Sequence, residues 1–527
     1  MSHRKRCPTQ PRRFAKKSNS LSNSVLLALL GGCAGGDEVE APFDVQLAED
    51  DATIDSLTAA PAGARLSEAL TLASTSTGQD DDVVRLIDAA SDYSEATLLA
   101  RTAAGAFSGP VPPVPNELRA VKGAEFVFDS WNVTLSDVVA KRLAEIREAR
   151  DAWINEMSDK DFQVYEAETQ QGYALLRQSL AAKLGRAHDL RPGAGILEGP
   201  DGSIWRRKLL APRQPRTELA SGPPGGRAVS LHAESGPVAS VLAGTQAGQI
   251  LDAQQEDLPE RRLDLDDLAA DTKPVGQIVG TDQRDIRSRY SGEPMNTDMW
   301  GPNILLTRRD KSADTQPLWV ECSGVKISPR IIITAGHCLF KNGSWNDNRR
   351  FIPGADGIGG SDPSPNGYDE SQWRRARDEW VDHEWTNYDF GLLVLSDSSP
   401  FRCWWWRGWQ ENTSGLTGDL VYLYGYPVEH LDCSGANSPR SDGKCWGSIY
   451  GFGESVVHEG GYRFYYYIDT QNGQSGAGVY KISGSTRTVY GVNRGSVACC
   501  ENDASRLNGG NTDHIQDAKS DFPASPC

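Results

Sequence analysis

The sequence predicts a chain of two unlike halves: a mainly β C-terminal half preceded by a helical and disordered N-terminal region. Two observations carry the β assignment. Beyond Gly276, short β-rich runs recur at Ile331-Ile332-Ile333, Leu392-Leu393-Val394-Leu395, Val421-Tyr422-Leu423-Tyr424, Phe464-Tyr465-Tyr466-Tyr467-Ile468 and Thr488-Val489-Tyr490-Gly491-Val492. Gly, Pro, Asn and Asp turns separate them and no helical stripe intervenes, the pattern of an all-β sandwich or barrel. Eleven of the 14 Trp fall at or after Trp300 and eight of the ten Cys at or after Cys322, so the chemically dense part is C-terminal. A third observation assigns the helices. Ser136 can cap a stripe through Val139, Leu143, Ile146 and Trp153, and Ser158 a second through Phe162, Tyr165, Tyr173, Leu176, Leu180 and Leu184, with Gly185 as a stop.

Taken in order, residues 1–33 read as an export signal. The first 32 residues carry seven Lys/Arg and no acid, followed by the apolar Val25-Leu26-Leu27-Ala28-Leu29-Leu30 and then Gly31-Gly32-Cys33. Leu30-Gly31-Gly32-Cys33 resembles a bacterial lipobox, which makes Cys33 the lipidation site; the plainer reading is a cut near Ala34. Residues 34–117, rich in Ala, Ser, Thr, Gly and Asp, read as a low-complexity linker, 118–190 as a helical segment and 191–276 as a second linker. The β-rich domain is 277–527.

Charge and composition exclude whole classes. The net charge is −17, and the chain after its basic head is more acidic still, a poor match for nucleic acid or anionic lipid. No apolar run approaches the ~18–20 residues of a membrane span. With Cys7 and Cys33 set aside, an even eight Cys remain in an exported chain, which suggests disulfides. No Cys-x-x-Cys or His-Glu-x-x-His occurs, so neither a metal nor a cofactor is expected.

Three segments carry chemistry. Ile332-Ile333-Thr334-Ala335-Gly336-His337-Cys338 ends a buried strand in one His. Asn387-Tyr388-Asp389-Phe390-Gly391-Leu392 opens an apolar strand with one Asp, whose charge is costly unless paired. Asp469-Thr470-Gln471-Asn472-Gly473-Gln474-Ser475-Gly476 runs into a Gly-rich turn bearing a Ser. Each alone is weak. Together they meet the needs of acyl transfer: a hydroxyl nucleophile, an imidazole base and a carboxylate to orient it. The backbone N–H groups of Gly473 and Ser475 can then face a developing oxyanion. His383 and His458 have no nameable partner and read as surface residues.

These motifs resemble the chymotrypsin-like serine peptidases, and more closely the glutamyl endopeptidase (V8-like) branch. Gly425-Tyr426-Pro427 and Ile278-Val279-Gly280-Thr281-Asp282-Gln283-Arg284 are similar to further segments of that branch. The resemblance covers about residues 278–500. It implies two six-stranded antiparallel β-barrels, a catalytic triad of His337, Asp389 and Ser475, and an oxyanion hole from Gly473 and Ser475. It also implies a His-loop disulfide between Cys322 and Cys338; apart from the resemblance, Cys433 and Cys445 are the next candidate pair, and Cys403, Cys499, Cys500 and Cys527 stay unassigned.

By the same resemblance, residues up to Gln277 form a pro-region cut at Gln277–Ile278, the competing reading being a permanent spacer. Thr470 takes the branch's substrate-binding Thr position, whereas Asn493 stands where that branch has a His. Either Arg494 supplies the missing charge and Glu or Asp is preferred at P1, or the pocket accepts Gln. Trp404-Trp405-Trp406-Arg407-Gly408-Trp409 reads as a barrel-edge loop packed by Cys403, or as a stacking surface.

The sequence therefore describes an exported serine endopeptidase, surface-anchored or secreted after processing, acting as a monomer on protein or peptide substrates. It would meet no nucleic acid, and a membrane only through lipid on Cys33. The rival is an inactive peptidase-fold binding module. Mass spectrometry of the exported protein is expected to find a mature species beginning at lipid-modified Cys33 and a processed species beginning at Ile278; an unmodified chain starting at Ala34 would remove the lipid anchor.

Overall fold

The computed structural model describes residues 62–75, 79–105, 111–129, 135–155, 157–183, 195–209, 285–287, 300–307, 322–355, 366–412, 415–427, 449–484, 486–497 and 501–527. The export signal with Cys33, the Gln277–Ile278 junction, and Cys433, Cys445, Cys499 and Cys500 lie outside them.

The N-terminal region folds as a helical body with a small sheet. Helices α1 (Ala62–Ser74), α2 (Asp80–Asp88), α3 (Tyr93–Ala103), α4 (Asp137–Asn155) and α5 (Asp159–Lys183) share one core built from Leu66, Ala69, Leu86, Leu99, Leu143 and Leu180 among others. Caps start three of them. Asp92 accepts from Glu95 N at 2.7 Å before α3, Ser136 accepts from Val139 N at 3.3 Å before α4, and Ser158 accepts from Asp161 N at 3.1 Å before α5.

The first three helices correct the expected linker over 34–117. Their contact faces combine Ala69, Ala96, Ala100 and Ala103 with Leu66, Val83, Leu86, Ile87, Leu98 and Leu99, all buried. These helices are short, 13, 9 and 11 residues, and their few large residues are diluted by the Ala, Ser, Thr, Gly and Asp of the surrounding stretch. The expected linker over 191–276 is corrected in the same way at its start. Strands β2 (Ile196–Glu198) and β3 (Ile204–Leu209) form a hairpin, and β1 (Ala124–Phe128) pairs antiparallel with β3. The turn is set by Gly199-Pro200-Asp201-Gly202, where Gly202 takes φ +80° and Asp201 accepts from Ser203 N at 3.0 Å.

Two closed barrels follow. The first joins β4 (Asn303–Thr307), β5 (Cys322–Lys326), β6 (Ile331–Thr334), β7 (Arg350–Pro353), β8 (Asp369–Ala376) and β9 (Gly391–Leu395) in the ring order β8-β7-β4-β5-β6-β9, closed by β9 on β8. The second joins β10 (Leu420–Gly425), β11 (Ile449–Glu459), β12 (Arg463–Tyr466), β13 (Gly478–Ser483), β14 (Thr486–Val497) and β15 (Glu501–Arg506) in the order β14-β13-β10-β11-β12-β15, closed by β15 on β14. Both rings are six-stranded and antiparallel, as the sequence predicts. The five β-rich runs each fall in or beside one of these strands, and closure leaves no sheet edge in either ring.

The N-terminal sheet is not separate from the first barrel. Strand β2 pairs antiparallel with β8, register Glu198 to Arg374 and Ile196 to Ala376, so one sheet runs β1-β3-β2-β8 into the ring. Leu118, Phe126, Leu197 and Trp205 join the core of Trp300, Leu305 and Trp373. Ile154, Phe162, Ile196 and Ile204 pack with Trp380, Val381 and Trp385 from helix α6 (Asp378–His383) and the segment after it.

A second disulfide, Cys403–Cys527, ties the end of helix α7 (Gly509–Asp521) and its tail to the Trp-rich loop. Beneath that loop, buried Lys326 donates to the carbonyls of Phe401, Arg402 and Trp404 at 2.8, 2.9 and 2.7 Å. The loop is thus fixed from below, with Trp405 its exposed ring. Among the described residues no helix is long and apolar enough to cross a membrane.

His383 corrects the surface assignment, whereas the His458 side chain is half exposed, as expected. His383 is buried between the two bodies; its Nδ1 lies 2.6 Å from Ser94 Oγ and its ring stacks on Trp385 at 4.2 Å. Burial pushes its pKa down to about 4, against the pull of Asp382 and Glu379 and with the help of Arg150 and Arg206. The unfolded chain therefore takes up a proton near pH 6.5 that the folded chain refuses until about pH 4. Stability from this group is present above pH 6.5 and lost as pH falls. Between pH 7 and 5 urea denaturation should lose about 2 kcal/mol from it, and His383→Gln should flatten that slope; an unchanged slope would show that the imidazole is not the responsible group.

Candidate active site

The register of the first barrel sets two of the three candidate groups side by side. Gly391 pairs with Thr334, so the chain entering β9 and the chain leaving β6 emerge together. Ala335 to Cys338 forms a tight helical turn presenting His337, and Thr386 to Tyr388 forms another that delivers Asp389. Asp389 accepts from His337 Nδ1 at 2.7 Å and from the His337 backbone N–H at 2.8 Å. Two donors from one residue fix both the position and the tautomer of the ring: Nδ1 carries the proton and Nε2 is the basic nitrogen.

Burial alone would raise the Asp389 pKa, but His337, its hydrogen bonds and nearby Arg494 hold it below the usual carboxylate value. Ser505 Oγ donates to the Asp389 carbonyl at 2.7 Å and anchors the same residue from the second barrel.

The Ser475 loop lies between β12 and β13 and is clamped to the first barrel. Ser323 carries most of that clamp. Its N–H donates to the Ser475 carbonyl at 2.7 Å, its Oγ donates to the Gly473 carbonyl at 2.7 Å, and that Oγ accepts from Tyr426 N at 2.8 Å. Ser323 follows Cys322, which is disulfide-bonded to Cys338 beside His337. The disulfide therefore links the strand that holds the nucleophile loop to the turn that holds the imidazole, and Cys338 Sγ sits 3.7 Å from the Ser475 carbonyl. Gln474 is fully buried, donating to the Tyr450 carbonyl at 3.0 Å and accepting from Gln471 N at 2.9 Å.

The Ser475 hydroxyl itself donates to the Arg494 carbonyl at 3.2 Å. His337 and Asp389 are thus joined directly, while the hydroxyl points to β14. Among the described residues the N–H groups of Gly473 and Ser475 have no hydrogen-bond acceptor. Gly473 takes φ +90°, a conformation that glycine supplies freely.

The expected substrate residues divide. Thr470 is buried and its Oγ1 has no partner among the described residues. Asn493 is also buried, with both polar atoms engaged: its Oδ1 accepts from Tyr466 OH at 2.7 Å and its Nδ2 donates to the Gln474 carbonyl at 2.9 Å. Arg494 is engaged through its Nε with Asp503, a carboxylate that Arg463 also meets at 3.2 Å. The Arg494 Nε lies 3.0 and 2.9 Å from the two carboxylate oxygens of buried Asp503. Ser323, Ser505, Tyr466 and Asp503 were not legible as site residues, because a Ser, Tyr or Asp inside a strand has no local signature.

Cys322, His337 and Cys338 bring one nitrogen and two sulfurs within 4.8 Å of one another. This donor set does not fit a metal, since the sulfurs are bonded to each other and Nδ1 is committed to Asp389.

Gly476 takes φ +83°, and a Cβ there would lie 2.0 Å from Thr334 Oγ1 and 2.2 Å from the Ser323 carbonyl. Gly476→Ala should destabilise the fold by about 2–4 kcal/mol, seen as a lowered thermal midpoint; a midpoint within one degree of the parent would show that the two barrels are not packed this tightly.

No family model matches the chain. Over 175 residues it is 30% identical to the glutamyl endopeptidase of Bacillus licheniformis, covering 32% of this chain and 48% of that protein. Over 232 residues it is 24% identical to the extracellular metalloprotease of Bacillus subtilis, covering 43% of this chain and 65% of that one. The chain thus spans between about half and two thirds of the lengths of these relatives. A solved Glu endopeptidase in complex with MPD matches with a TM-score of 0.37 and 22% identity, over 46% of this chain and 99% of that one. The C-terminal half is thus a pair of closed six-stranded antiparallel β-barrels, and the chain is similar in sequence to the glutamyl endopeptidase of Bacillus licheniformis over 175 residues.

Proposed function

We propose that the chain is an exported serine endopeptidase working through His337, Asp389 and Ser475. The carrying observation is the pair of hydrogen bonds from His337 to buried Asp389, beside a Ser475 loop clamped to the same barrel.

In this reading the Ser475 hydroxyl rotates from the Arg494 carbonyl to His337 Nε2. The imidazole takes its proton as Oγ attacks the scissile carbonyl, and the imidazolium gives that proton to the leaving amine. Water then repeats the exchange and releases the acid. The N–H groups of Gly473 and Ser475 hold the oxyanion, a contribution of about 3–4 kcal/mol per donor. Asp389 stays ionised throughout and stabilises the cation formed on His337.

The same reading assigns P1. Thr470 Oγ1 is a buried polar atom of the expected pocket with no partner among the described residues. Arg494 shares Asp503 with Arg463 and faces Asp389 as well, so its charge is already engaged by two carboxylates of this chain before a substrate carboxylate arrives. A neutral amide at P1 is favoured over a charged acid. On a peptide library, kcat/KM for Gln at P1 should exceed that for Glu by about tenfold or more, about 1.4 kcal/mol; a Glu preference would restore Arg494 as the carboxylate's partner.

The bond from Ser475 Oγ to Arg494 favours one second reading, a binding module without turnover. An organophosphonate probe separates the two. Labelling at Ser475, cut by about 10⁴-fold in Asp389→Asn, supports the peptidase; an unlabelled Ser475 in correctly folded protein supports the binding module.

A further inference from the structure

The contacts between the N-terminal body and the barrels are reciprocal in charge. Helix α6 and the residue after it carry three buried carboxylates, Asp378, Asp382 and Glu384. Cations from the N-terminal body meet all three. Arg206 lies 3.3 Å from Asp378 and 3.0 Å from Asp382, Arg177 lies 3.4 Å from Asp382, and Arg147 pairs with Glu384. Arg150 donates to the carbonyls of His383 and Glu384.

The exchange also runs the other way. Glu198 of the N-terminal hairpin takes Arg349 at 2.9 Å and Arg374, while Arg207 adds one more N-terminal cation, 2.8 Å from Asp521. In the joined molecule each of these buried charges has a partner across the interface, and Arg177 and Arg206 share Asp129 within the N-terminal body as well, so the pairing fixes how the two bodies meet. Strand pairing of β2 on β8 and the shared apolar cores add to this union.

The gripped segment leads straight to the candidate active site. Glu384 holds a left-handed conformation, φ +47°, unusual for a side chain of its size. Tyr93 OH, Arg147 and Gly343 N–H all bind its carboxylate, and Asp389 follows five residues later. Tyr388, adjacent to Asp389, gives its hydroxyl to Glu166 of α5.

We infer that residues 62–209 are a retained subunit of the peptidase, held without covalent linkage once the chain between the bodies is cut, and that Arg147, Arg150 and Arg206 are positioning residues that set Asp389 through Asp378–Glu384. This rests on the serine-peptidase reading for its second half alone. Cleavage at Gln277–Ile278 would, on this view, yield a two-chain protein rather than release a pro-piece.

The test inserts a recognition site for a sequence-specific protease between residues 240 and 245 of the full chain and cuts the folded protein. Both pieces should co-elute in native size exclusion and separate in a denaturing gel, with Ser475 still labelled by the organophosphonate. Separate elution of a C-terminal piece that remains folded overturns retention. Labelling that rises when the N-terminal piece is stripped marks an inhibitor instead, and overturns the positioning role.

In the uncut chain, Arg147→Lys and the milder Tyr93→Phe should lower kcat per labelled site about three- to tenfold with KM little changed, and should shift the pH profile of kcat. A lowered thermal midpoint with kcat per site unchanged overturns positioning. Failure of the serine-peptidase reading is distinguishable: the uncut parent would not label, while co-elution would still decide retention.

Discussion

A buried carboxylate that must meet one imidazole is the constraint around which this protein is arranged. Asp389 is cut off from water, so its charge survives through the two hydrogen bonds from His337. That pairing demands that β6 and β9 end together, which the register provides, and that the turn before Asp389 does not wander. The first barrel, the disulfide at Cys338 and the helix before Asp389 all serve this placement. The second barrel contributes through Ser505 and through the strand end at Tyr426, which reaches Ser323.

The same physics repeats at larger scale across the body–barrel interface. Carboxylates on α6 and cations on the N-terminal helices are each tolerable when buried because the other is present. Such pairs add little net stability compared with apolar contacts of the same size, but they penalise every other arrangement of the two bodies. The apolar contacts of Trp205, Trp373 and Trp385 supply cohesion, and the charges supply orientation.

The sequence revealed the barrels and the triad candidates because both have strong signatures: turn-bounded β runs for the first, and a His, an Asp and a Ser in small-residue contexts for the second. The N-terminal body was largely hidden. Helices α1 to α3 are short and set in an Ala-, Ser- and Asp-rich stretch that masks the stripe of Val83, Leu86 and Ile87, and the β2–β3 hairpin sat inside a Pro- and Gly-rich stretch whose Pro-Asp-Gly turn was its one signal. His383 was misread for a related reason. Its partners are Ser94 and Tyr173, far away in sequence, and no local pattern marks a histidine destined for an interface. Arg494 was read as a free charge because its partner, Asp503, sits on the neighbouring strand. Partnership across strands is a property of register, and register follows from the whole ring.

The sheet that crosses from β2 to β8 has a bearing on how the chain reaches its native state. Glu198 and Arg374 are 176 positions apart, and Tyr93 and Glu384 are 291 apart. Contacts of such long range form late, because loop-closure entropy must be met before any of them contributes. During synthesis the basic faces of the leading helices would stay hydrated until the last strands of the first barrel arrive. Acquisition of the native state should therefore be slow and governed by topology, with its rate limited by the meeting of the chain's distant halves rather than by helix formation.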